Sequence, residues 1–142
     1  TTKSDRSGWE ASFSVHPTDD IDILGSYTNL EANEVANTEL RRPEQQGAID
    51  ASWRVGGGPL KLNLGVTYNG EMLDTDFATF MPTSIDPYTL VRVGASWQVN
   101  DTIELYGRVE NVTDEEYQEV LGFKGAPQAF YMGIRFREEK AR

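Results

Sequence analysis

Through most of this chain, large apolar residues fall on every second position. Trp9, Ala11, Phe13 and Val15 alternate with Glu10, Ser12, Ser14 and His16. After "PTDD" the alternation resumes, with Ile21, Ile23, Gly25 and Tyr27 opposite Asp22, Leu24, Ser26 and Thr28, where Leu24 is the one misfit. Ile49, Ala51, Trp53 and Val55 follow, and beyond "GGGP" come Leu60, Leu62, Leu64, Val66 and Tyr68. The third pair sets Val91, Val93, Ala95, Trp97 and Val99 before a short Asn100-Asp101 turn, and Ile103, Leu105 and Val109 after it. Phe130, Met132, Ile134 and Phe136 close the series. A period of two is the signature of a strand with unlike faces, and helical periodicity is nearly absent. The pattern predicts an all-β chain: an antiparallel up-and-down meander of about seven long strands.

Alternation alone does not say what covers the apolar face. In a soluble sandwich a second sheet covers it. In a transmembrane barrel lipid does, and the polar face lines the lumen. Three features favour the barrel. The connections alternate short and long: "PTDD", "GGGP" and Asn100-Asp101 against Glu31 to Glu44, Glu71 to Pro87 and Asn111 to Pro127. Barrels of the outer membrane keep this rhythm, with tight periplasmic turns and extended outer loops. Trp53, Trp97 and Phe136 stand near the tight-turn ends and Tyr27 and Tyr68 near the long-loop ends, as two interfacial girdles would. The strands also run to about ten residues, enough to cross hydrocarbon when tilted. If the long loops lie outside the cell, the last strand descends and the C-terminus is periplasmic.

Composition then narrows the partners. A formal charge of −10 argues against nucleic acid. The absence of cysteine rules out disulfides and thiolate metal sites. A mean hydropathy of −0.52 would suit a soluble protein, but a transmembrane strand shows lipid only at alternate residues and escapes that inference.

The ending, "RVENVTDEEYQEVLGFKGAPQAFYMGIRF", resembles the C-terminal signature of TonB-dependent outer-membrane receptors. The family pattern is Asn-Leu-x-Asp-x-x-Tyr, an aromatic–glycine loop, Pro-Gly-Arg, and an alternating strand ending in Phe. Asn111, Asp114 and Tyr117 match the first element, with Val112 for Leu; Gly122, Phe123 and Pro127 match the loop, and Phe136 the end. Gln128 stands where the arginine is expected, and "REEKAR" follows the final aromatic. Upstream, "GWEASFSVHPTDDIDILGSYTNLEA" and "DPYTLVRVGASWQVNDTIELYGRVEN" are similar to preceding strands of the same family. The resemblance implies a barrel of about twenty-two strands around a plug, of which residues 1–142 supply the C-terminal segment, without the plug or the earlier strands. It further implies an outer-membrane location, contact with lipid and lipopolysaccharide, TonB-coupled uptake of a scarce ligand such as a siderophore or cobalamin, no cofactor and no catalysis.

Other groupings invite other chemistry. Ser14, His16 and Asp22 suggest a triad, set against a plain polar wall. Glu71, Asp74 and Asp76 could gather a hard cation or be solvated loop charges. Arg41 and Arg42 could meet lipopolysaccharide phosphates or simply mark a loop-to-strand boundary. "NVT" at Asn111 is formally a glycosylation sequon. Asp50, Arg54, Lys61, Arg92, Glu104, Arg108 and Arg135 could brace a plug or pair within the wall. The runner-up readings are a soluble β-sandwich binding carbohydrate and, third, an outer-membrane enzyme.

Overall fold

The computed structural model describes residues 6–32 and 40–137. Seven strands form one antiparallel sheet: β1 (Arg6–Thr18), β2 (Ile21–Ala32), β3 (Gln45–Arg54), β4 (Leu60–Asn69), β7 (Tyr88–Gln98), β8 (Ile103–Glu110) and β11 (Ala129–Phe136). They lie side by side in chain order, the meander that the alternation predicts. The second and third long connections are not plain loops. The second folds into a hairpin, β5 (Met72–Asp76) with β6 (Met81–Ile85), and the third into a smaller one, β9 (Gln118–Val120) with β10 (Phe123–Lys124). Part of the first long connection lies outside the described residues.

The register keeps one parity across the whole sheet. Val15 pairs with Ile23, Ile23 with Ala51, Ala51 with Leu64, Leu64 with Val93, Val93 with Val109, and Val109 with Phe130. A slip of one residue anywhere would turn a strand's apolar set to the other face. One face is therefore continuously apolar and the other polar.

Each tight turn has a local cause. Pro17 has no N–H for the ladder, and the β1–β2 register shifts between Val15 and Thr18. At the β3–β4 turn, Gly56 and Gly57 take φ of 58° and 65°, the left-handed region that glycine enters without strain. At the β7–β8 turn, Asn100 Oδ1 accepts the amides of Thr102 and Ile103, each at 2.9 Å, an Asx-type closure.

The apolar face is bare. Trp53 is 46% exposed, Leu64 44%, Val93 39% and Ile134 57%, and among the described residues no second large sheet covers them. Soluble monomers rarely expose a contiguous apolar patch beyond a few hundred Å², so the sandwich reading has no layer to stand on. Aromatic rings mark both ends of this face. Trp9 and Tyr27 pack at 5.3 Å between centroids near the long connections, while Trp97 and Phe136 sit near the tight turns. Among the described residues β1 and β11 pair on one side only, so the described sheet has two open edges and does not close.

Candidate functional site

Two regions carry the chemistry: the polar face, and a cap built by the long connections.

On the polar face, long charged side chains lie along the wall. Arg92 reaches over Gly65 to bond Asp50, and glycine is what makes room: a Cβ at position 65 would stand 2.3 Å from Arg92 Nε. Glu104, only 7% exposed, accepts two hydrogen bonds from Arg135 Nη1 at 3.0 Å and one from Arg137 Nη2 at 2.9 Å. Arg135 also lies over the Tyr106 ring, and Arg108 over the Tyr131 ring, contacts that favour a cation against a π-face. Arg108 pairs with Glu110 on its own strand at 2.9 Å. The wall thus satisfies most of its charges internally. Arg54 and Lys61 face each other across β3 and β4 and form no ion pair with a described residue. Leu24 remains exposed on this polar face, and nothing in the structure explains it.

The suggested triad resolves into a pair. His16 Nε2 lies 3.3 Å from Asp22 Oδ1, and Asp22 also accepts from the Ser52 hydroxyl at 3.3 Å. Ser14 faces Leu24 across the ladder and takes no part in that contact. The Ser52 hydroxyl bonds the carboxylate and not the imidazole, whereas a nucleophile has to bond its base.

The cap has its own small core. Met72, Ile85 and Tyr88 are buried, with Leu90, Tyr117 and Leu121 packed around them. The Tyr88 and Tyr117 rings lie 4.6 Å apart at 34°. The residues singled out from the ending organise the third connection. Asn111, 5% exposed, accepts the Glu115 amide at 2.9 Å and donates to the carbonyls of Glu115 and Ala126 at 3.0 and 3.1 Å. Asp114 Oδ1 accepts the Gln128 amide at 3.0 Å, and Gln128 Nε2 donates to the Val112 carbonyl at 2.8 Å. Gln128, in the place expected of an arginine, thus ties the two arms of the connection together. Gly122 turns β9 into β10 at φ 84°. Pro127 and Phe136 are exposed, and Phe136 pairs with Ile103 at the tight-turn end.

Gly125 is fixed by its neighbour. A Cβ there would meet the Tyr117 ring at 2.3 Å, and that ring is held against Tyr88. Gly125→Ala should therefore cost about 1–3 kcal/mol through overpacking. A fall in the unfolding midpoint reversed by Tyr117→Ala in the double variant would show it; no fall would mean the ring gives way.

The three acids proposed for a cation are committed elsewhere. Glu71 accepts from the Ser84 hydroxyl. Asp76 accepts the Ala78 amide at 2.8 Å and the Thr79 hydroxyl at 3.0 Å, closing the β5–β6 turn. Asp74, with no exposed surface, accepts Arg41 Nε at 2.9 Å, the Thr75 amide at 2.8 Å and the Leu121 amide at 2.9 Å. No group of three metal-ligating side chains forms among the described residues. Arg41, a candidate lipopolysaccharide contact or plain loop-to-strand boundary, is bonded through Nε to the cap and stays half-exposed.

These donors set the acidity of the cap. The Leu121 amide foremost holds the Asp74 carboxyl below its ordinary value, against the opposing effect of burial, and the Thr75 amide and Arg41 add to it. The Ala78 amide and Thr79 hydroxyl do the same for Asp76. A lowered value in the closed cap means that the open form binds protons more readily. The stabilisation is complete above the ordinary aspartate titration at about pH 4 and is lost as pH falls through the lower values of the closed form. Hydrogen exchange of residues 72–76 should reveal cap opening that is flat from neutrality down to about pH 5 and rises only in stronger acid; opening that already rises near pH 6 would contradict it.

The fastening role of Asp74 does not declare itself in the sequence, because its partners lie 33 and 47 residues away.

With the geometry in hand, comparison with known proteins is informative. The family described as TonB dependent receptor-like, beta-barrel matches residues 2–112. The vitamin B12 transporter BtuB of Vibrio cholerae is 32% identical over 78 residues, covering 53% of this chain and 13% of that protein. The siderophore receptor PirA of Acinetobacter baumannii superposes with a TM-score of 0.80 at 16% identity, covering 96% of this chain and 22% of PirA. The pyoverdine outer membrane receptor FpvA of Pseudomonas aeruginosa gives a TM-score of 0.78 at 20% identity, covering 94% and 21%. At those identities the two structures speak for the fold alone. The chain therefore spans a small part of the length of each relative.

Proposed function

The chain belongs to the TonB-dependent receptor β-barrel family, and from that premise we propose that it is the C-terminal stretch of an outer-membrane receptor for a scarce small molecule of the cobalamin or siderophore class. The observation that carries this is the bare apolar face, continuous across all seven strands in one register. Lipid is the surrounding that makes such a face favourable. The named activities of BtuB and the siderophore receptors support the ligand class.

In this reading the long connections face outward and help hold the ligand. The tight turns and the chain's end face the periplasm; the Arg137 amide bonds the Thr102 carbonyl at that end, at 2.8 Å. The motif residues Asn111, Asp114, Tyr117, Gly122, Pro127 and Phe136 have structural roles. The polar face looks onto a plug contributed by another part of the protein. Arg54 and Lys61, which have no acid partner among the described residues of the wall, are placed to meet its carboxylates. Energy reaches the receptor through TonB acting on that plug, and the wall itself has no catalytic part.

The test is genetic. Disrupting the full-length gene should abolish growth on cyanocobalamin or on a ferric siderophore as the limiting source, and inactivating the energy coupler should have the same effect. Uptake of both ligand classes unchanged by either disruption would overturn the proposal.

A further inference from the structure

We propose that Asp74 is the positioning residue that fastens the three long connections into a single cap, so that they open and close together. Its purpose in ligand capture rests on the receptor reading; the fastening itself rests on geometry.

Asp74 is on β5, in the second connection, and none of its surface is exposed. Its Oδ1 accepts from Arg41 in the first connection and from its own neighbour Thr75, and its Oδ2 accepts the Leu121 amide in the third. A carboxylate wholly removed from water is tolerated only when donors surround it. These donors come from all three segments, so withdrawal of one leaves the charge under-satisfied and weakens the hold on the others.

Two further contacts point the same way. Leu40 and Leu73 form an isolated parallel bridge, and the Arg41 amide donates to the Leu73 carbonyl at 2.6 Å. Arg41 adopts φ 61°, a left-handed conformation uncommon for a residue with a side chain, and such backbones persist where the surroundings over-determine them. Met72, two residues before Asp74 and so on the same side of β5, is buried in the cap core with Leu121 packed nearby. The carboxylate and the core therefore close over the same junction.

Coupling of this kind has a signature that a purely local role lacks. Arg41→Ala removes a half-exposed side chain and leaves Asp74 with both amide donors. Hydrogen exchange of the full-length receptor in lipid, without ligand, would follow residues 40–44, 72–76 and 118–124. Asp74→Ala and Asp74→Asn should accelerate exchange at Leu121 and at the Arg41 amide together, by about tenfold or more. Arg41→Ala should accelerate Leu121 as well, although Asp74 stands between the two. If Arg41→Ala loosens residues 40–44 and leaves Leu121 unchanged, the connections are independent and the proposal fails. Because no ligand is present, this outcome is separate from any failure of the receptor to bind cyanocobalamin or a ferric siderophore.

Discussion

Leu64→Arg should abolish assembly into the membrane, while Asn63→Arg, one residue earlier, should leave it nearly intact. Both residues sit near the middle of β4, pointing to opposite faces. Leu64 pairs with Ala51 and Val93 on the apolar side, and Asn63 with Ser52 and Gly94 on the polar side. An arginine facing lipid at the bilayer midplane costs about 2–4 kcal/mol, against little on a lumen face. That is a large part of the margin, since folded proteins are typically stable by only about 5–15 kcal/mol. Leu64→Phe keeps the surface apolar and should assemble. The measurement is the folded fraction of the full-length receptor in lipid vesicles, read by heat-modifiable migration. Equal assembly of Leu64→Arg and Asn63→Arg would mean that lipid does not surround this face.

The second large effect belongs to Asn111→Ala. Its side chain holds three hydrogen bonds within the β8–β11 connection, and its backbone takes φ 50°. Alanine loses the bonds to the Glu115 amide and to the Glu115 and Ala126 carbonyls, and is strained in the left-handed region. Together these should cost about 3 kcal/mol. Asn111→Gly removes the strain but restores none of the bonds, so it should recover only about 1 kcal/mol. The Glu115 amide is the reporter: its exchange should rise sharply in both variants. Unchanged protection there would show that the connection is held by other means.

How far the molecule could be read from its residues depends on which interactions are local. Alternation is a property of each strand by itself, so Leu60 to Tyr68 shows its faces without knowledge of its neighbours. The same holds for the short turns, where Gly56, Gly57 and Asn100 act on their own backbone. The hairpins in the long connections escaped for a physical reason. β9 and β10 are three and two residues long, too short to show any period. β5 alternates, but its buried side carries Met72 and then Asp74, and an apolar pattern cannot register a buried carboxylate. Asp74, a possible cation ligand by its sequence, is instead saturated by N–H donors from two distant segments and from its neighbour Thr75. The ending was recognised as a motif, yet the hydrogen bonds of Asn111, Asp114 and Gln128 emerge only once the two arms of the connection meet.

Oxygen dissolves preferentially in hydrocarbon, so a nitroxide scan along residues 60–69 of the full-length receptor in lipid tests the central claim most directly. Spin labels at 62, 64 and 66 should collide strongly with oxygen, and those at 61, 63 and 67 weakly, in a period of two. A flat profile, or one with the phases reversed, would place protein or water where this account places lipid.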